Sequence, residues 1–79
     1  MKIKKNIALS DSGFIFNPTT GDSFSLNPIA HEIFLMMQGN TTDTEIVDKI
    51  TDGYMIDKTT VEKDLYDFKN MLKTNKLAE

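Results

Sequence analysis

A chain of 79 residues with no Cys, one His and a net charge of −3 has room for one domain with a marginal core; it has no disulfide framework and too few soft ligands for zinc. Hydrophobic residues at 39% and charged residues at 27% are the composition of a soluble globule, and no apolar run approaches the length of a membrane span. All basic residues are Lys, so the side chain best suited to bidentate readout of guanine or phosphate is missing, which argues against a nucleic-acid partner.

Charge is unevenly spread: the first third of the chain is slightly basic, residues 27–54 are acidic, and the last third is balanced. The opening Met1-Lys2-Ile3-Lys4-Lys5 is followed by Asn6 rather than by an apolar stretch, so no signal peptide is read there and cytoplasmic residence is expected. Residues 1–79 are expected to form a single domain.

Residues 2–9 place Ile3, Ile7 and Leu9 on one parity, the pattern of a half-buried strand, with Lys5 breaking it. After the turn Ser10-Asp11-Ser12-Gly13, Phe14-Ile15-Phe16 is a second strand. Asn17-Pro18-Thr19-Thr20-Gly21 then returns the chain as a hairpin into a third strand, Asp22-Ser23-Phe24-Ser25-Leu26.

From Asn27-Pro28 the period becomes helical. Ile29, Ala30, Ile33, Phe34 and Met37 form a stripe, with Gly39 where a left-handed cap is wanted. Thr42-Asp43-Thr44-Glu45 has capping-box spacing, in which Thr42 accepts from the N3 amide and Glu45 reaches back. It opens a second helix with Ile46, Val47 and Ile50 inward, ending near Gly53. Asp57 caps a third, with Val61, Leu65, Phe68, Met71 and Leu72 on one face and Lys69, Lys73 and Lys76 toward its end, where cations favour the helix dipole. Strands followed by helices give an α+β fold class: a three-stranded antiparallel sheet followed by three helices. Phe14, Phe16, Phe24, Phe34 and Phe68 fall near inward positions, and core packing is expected to account for most of them without an aromatic ligand box. So short a chain has few elements to cover both sheet edges, which leaves one available for binding.

Catalytic chemistry is not legible. His31 has no nucleophile at a useful spacing and reads as a solvated helix residue. Asp43, Glu45, Asp48 and Asp52 are spread around a helix without a calcium-loop Gly, so they read as a solvated acidic face and no metal or other cofactor is expected. Gly21-Asp22-Ser23 invites comparison with the prosthetic-arm Ser of acyl and peptidyl carrier proteins. There, however, the Ser opens a helix after a long first helix, whereas Pro28 would interrupt any helix begun at Ser23. Lys69, Lys73 and Lys76 interleaved with Tyr66 suggest a winged-helix nucleic-acid-binding module, but five acids in the same third of the chain cancel them.

The ordered set of residues from about Phe14 to Leu77 resembles the PqqD-like peptide chaperones, also called RiPP recognition elements. The match runs through the hairpin turn, the strand ending in Leu26-Asn27, Ala30, Ile33 and Phe34, then Gly39, Thr42, Glu45, Ile46 and Val47, and finally Val61, Asp64, Leu65, Phe68 and Leu72. Asn75-Lys76-Leu77 departs from the Gly that the family tends to place before its final apolar residue, and Asn is able to adopt the left-handed cap. The resemblance implies a winged-helix-like domain without catalysis of its own. It would bind the leader segment of a ribosomally made precursor peptide and deliver it to a modifying enzyme, often a radical SAM protein. In that family the leader adds as a strand beside the third strand, in the groove between it and the third helix. Carried over to this chain, the peptide-binding residues are Asp22, Ser23, Phe24, Ser25 and Leu26 on the strand, with Leu65, Tyr66, Lys69 and Lys73 on the helix. The Lys pair would favour a leader carrying acids. No membrane or nucleic acid is expected among the partners.

Overall fold

The first seven residues do not form the expected strand. A straight strand over residues 3–9 would turn Lys5 into the core with Ile3 and Ile7, and in the computed structural model, which covers residues 1–79, the chain instead turns at Lys5-Asn6. Ile3 forms an isolated antiparallel bridge with Ala78, while Lys4 N–H donates to the Leu77 carbonyl at 3.0 Å. Ile3 and Ile7 are thereby both buried, and the two chain ends are paired with one another.

Strand β1 is reduced to Ala8–Leu9, followed by β2 (Phe14–Asn17) and β3 (Asp22–Ser25) in an antiparallel meander of order β1-β2-β3. Gly13 joins β1 to β2 at φ +89°, and a Cβ there would lie 3.1 Å from the Leu26 carbonyl oxygen, so both conformation and space call for glycine. Along β2, Ile15 and Asn17 are buried whereas Phe14 and Phe16 are 52% and 42% exposed. Ile15 takes the inward face, and alternation then turns both of its neighbours outward, so the expected inward placement fails for Phe14 and Phe16. Phe34 is fully buried, and Phe24 and Phe68 pack against the core while partly exposed.

Helix α1 spans Pro28–Gln38, with Asn27 Oδ1 accepting from the Ala30 amide at 2.8 Å and Pro28 in the first turn. Helix α2 spans Asp43–Tyr54. Thr42 Oγ1 accepts from the Glu45 amide, but its hydroxyl also donates to the Glu45 carboxylate at 3.0 Å, so the box closes side chain to side chain rather than back to the Thr42 amide. Helix α3 spans Lys58–Thr74 with Asp57 as its cap.

The left-handed residues after α1 and α3 are Asn40 and Lys76, each one position later than Gly39 and Asn75. Both ends are Schellman motifs: Thr41 N–H reaches the Met36 carbonyl and Asn40 N–H that of Met37, while Leu77 N–H reaches Leu72 and Lys76 N–H reaches Lys73. These bonds set which residue turns left-handed. The core joins Ile15 of the sheet to Ile33, Phe34, Ile46, Ile50, Val61 and Leu72 of the helices, with Leu77 closing it from the C-terminal segment. His31 is half-buried rather than solvated, its ring near the position of Gly13.

Candidate functional site

Main-chain hydrogen bonding decides which groups of β3 are free. Leu26 N–H donates to the Gly13 carbonyl at 2.8 Å, and the register pairs Phe14 with Ser25, Ile15 with Phe24, Phe16 with Ser23 and Asn17 with Asp22. Bonded and non-bonded pairs alternate in an antiparallel ladder, so Asp22, Phe24 and Leu26 direct their backbone groups to β2. The N–H and C=O of Ser23 and Ser25 therefore project from the open edge. At the opposite edge, Ser10 N–H donates to the Phe14 carbonyl and Ala8 pairs with Phe16, which leaves Leu9 alone facing outward from β1. Only β3 offers a run of groups long enough for an incoming strand to pair with.

Asn17, at the end of β2, ties the hairpin turn to the C-terminal segment. It is 2% exposed, accepts from Thr19 N–H through Oδ1 at 3.0 Å, and directs Nδ2 toward the Lys76 carbonyl at 3.4 Å. Phe24 and Leu26 turn their side chains inward and stay partly exposed, while Asp22, Ser23 and Ser25 are exposed.

Leu65, Tyr66, Lys69 and Lys73 are brought together in one groove of about 460 Å³, but its far wall is the start of α2, and no β3 residue lines it. Lys69 forms an ion pair with Asp43 there, so this flank of α3 faces α2. Leu65 is buried, Tyr66 is 67% exposed, and Lys73 is exposed without an ion pair. Phe68 and Met71, on the opposite side of the buried stripe of α3, pack against the same core cluster as Phe24 and Leu26. The sequence-predicted residues thus occupy two surfaces, the β3 edge and the α2–α3 groove. Phe14 and Phe16, expected to be inward, instead lie exposed on the outer face of the sheet on either side of the buried Ile15.

Residues 13–78 match the family of coenzyme PQQ synthesis protein D (PqqD). The chain belongs to the PqqD family. No curated protein matches this PqqD-family chain in sequence. Among solved structures it is similar to TbiB1 in complex with the TbiA(beta) leader peptide, at 33% identity and a TM-score of 0.89, covering 100% of this chain and 95% of that one. It shares the fold of lasso peptide synthetase B1 complexed with the leader peptide, at 22% identity and a TM-score of 0.87, covering 99% and 95% of the two chains. The sheet-then-helices order expected from the sequence is therefore the fold of this family. No helix is long and apolar enough to cross a membrane.

Proposed function

We propose that this PqqD-family chain binds the leader segment of a ribosomally synthesised precursor peptide by strand addition to β3 and presents it to a modifying enzyme, performing no chemistry itself. The observation that carries this reading is the pair of outward-facing backbone positions at Ser23 and Ser25. They lie on a fold shared with proteins seen in complex with leader peptides. Main-chain bonds hold any extended segment, while side chains on alternate positions select among sequences.

Asp22, Ser23, Phe24, Ser25 and Leu26 form the docking strand. The inward side chains of an added strand would meet the partly exposed Phe24 and Leu26, with Phe68 and Met71 packed on the same cluster. Leu65, Tyr66, Lys69 and Lys73 border a separate groove in which Lys58, Lys69 and Lys73 outnumber Asp43 and Glu62, a small excess that favours acidic residues flanking the docked segment. Lys73 is the freer cation, since Lys69 is already held by Asp43. A winged-helix nucleic-acid role is disfavoured by the net charge of −3, the absence of Arg and the leader-bound relatives.

Amide chemical-shift mapping with the leader of a precursor encoded beside this chain tests the reading. Ser23 and Ser25 should shift most, with Tyr66 and Lys73 following if the groove takes part. Shifts centred on residues 43–52 of α2 and absent from β3 would refute strand addition. Shifts confined to β3 would remove the groove from the site.

A further inference from the structure

The outer face of the sheet carries two large rings that are only about half covered. Phe14 and Phe16 are 52% and 42% exposed, and their cross-strand neighbours toward the open edge are Ser25 and Ser23. Toward β1, Phe16 faces Ala8, which is also small and exposed. Small residues therefore flank the rings on both sides, but only the β3 side has an edge along which another strand is able to pair.

Adjacent strands lie about 4.8 Å apart, so a strand added to β3 would run about 10 Å from β2. Serine fills little of that interval. A large side chain from the added strand and a Phe ring from β2 are each long enough to lean across it and meet above the serine, where aromatic centroids prefer about 4.5–7 Å. Phe14 and Phe16 are two residues apart, as are Ser25 and Ser23, so the gap repeats at the side-chain period of a strand.

We propose that Phe14 and Phe16, seen across Ser25 and Ser23, form a second selectivity surface that takes two large apolar side chains at alternate positions of the peptide strand docked on β3. This rests on strand addition to β3. It concerns the outward-pointing side chains of the peptide, whereas the surface formed by Phe24 and Leu26 meets the inward-pointing ones. The expected ligand is thus an extended segment with large apolar residues at positions i and i+2 on its outward face and a second, independent requirement on its inward face.

The test is selection of random-sequence displayed peptides on the intact chain, followed by titration of enriched peptides into it and into a Phe14→Ser, Phe16→Ser double variant. Both residues are substantially exposed, so the variant is expected to keep its dispersed amide spectrum, and that spectrum is recorded as the folding control. Peptides that shift the Ser23 and Ser25 amides should carry the i, i+2 apolar pair, and the double variant should bind them about threefold to tenfold more weakly while the Ser23 and Ser25 shifts persist at saturation. If edge-docking peptides show no such pair, or bind the double variant within about twofold, the second surface is refuted and strand addition stands. If no enriched peptide shifts Ser23 and Ser25, strand addition itself fails and the inference falls with it. Self-association of the free chain that the double variant abolishes would instead assign the rings to a second copy and overturn the proposal.

Discussion

Replacing Ser23 or Ser25 by Pro isolates the main-chain part of peptide docking. Both residues have the same parity on β3 and both turn their N–H away from β2, so each substitution deletes an outward donor and spares the pairing inside the sheet. The two N–H and two C=O groups are four potential bonds, each contributing about 0.5–1.5 kcal/mol net, or roughly 2–6 kcal/mol for the edge as a whole. Proline removes one bond and leaves a peptide carbonyl facing its ring without a donor, a loss of about 1–3 kcal/mol. Leader affinity should therefore fall about fivefold to 150-fold at either position, measured by titration calorimetry. Because Pro also constrains φ, N-methylation of the leader at single amides is the companion measurement, since it leaves this chain untouched. It should weaken binding at every second leader residue and be tolerated between them. Phe24→Pro, by contrast, would break the β2 ladder and is expected to unfold the hairpin. Binding reduced less than about twofold by both serine substitutions, with no alternation in the N-methyl scan, would refute the reasoning.

Tyr54 on α2 has its hydroxyl held above the ordinary tyrosine range by desolvation and then by the Glu32 carboxylate of α1. Since the folded-state value is raised, the stabilisation is fully present below the unfolded value of about 10 and is lost as pH rises through the folded one. Ultraviolet titration should show a late phenolate phase that Tyr54→Phe removes and Glu32→Gln moves to lower pH. Met55, 92% exposed at φ 54°, forms the left-handed cap of α2, so Met55→Gly should relieve strain of about 1 kcal/mol, offset in part by the greater chain entropy of glycine, and raise the denaturant midpoint slightly. Thr51 Oγ1 is buried without a hydrogen-bond partner, so Thr51→Val should be neutral or stabilising in the same denaturation assay.

Local signals sufficed for much of this protein. Asn27-Pro28, Thr42 and Asp57 mark where the three helices begin because capping and proline geometry act over a single turn, and the helix stripes follow from the 3.6-residue period. Alternation likewise located Phe24 and Leu26 on one face of the third strand. Which face of Phe14-Ile15-Phe16 turns inward was misjudged, because alternation separates two faces without saying which one the core takes. Tertiary structure decided the rest. Residues 2–9 follow strand parity except at Lys5, and the pairing of Ile3 with Ala78, seventy-five positions away, is what breaks them into a bridge and a turn. Schellman bonds to the preceding helix turn moved the left-handed residues to Asn40 and Lys76. The flank of α3 that carries Tyr66, Lys69 and Lys73 faces α2, where Val47 and Leu65 line the same groove and Lys69 pairs with Asp43. A helical wheel gives relative angles around one helix, but which neighbour occupies each angle depends on contacts between distant segments, and those form only when the core closes.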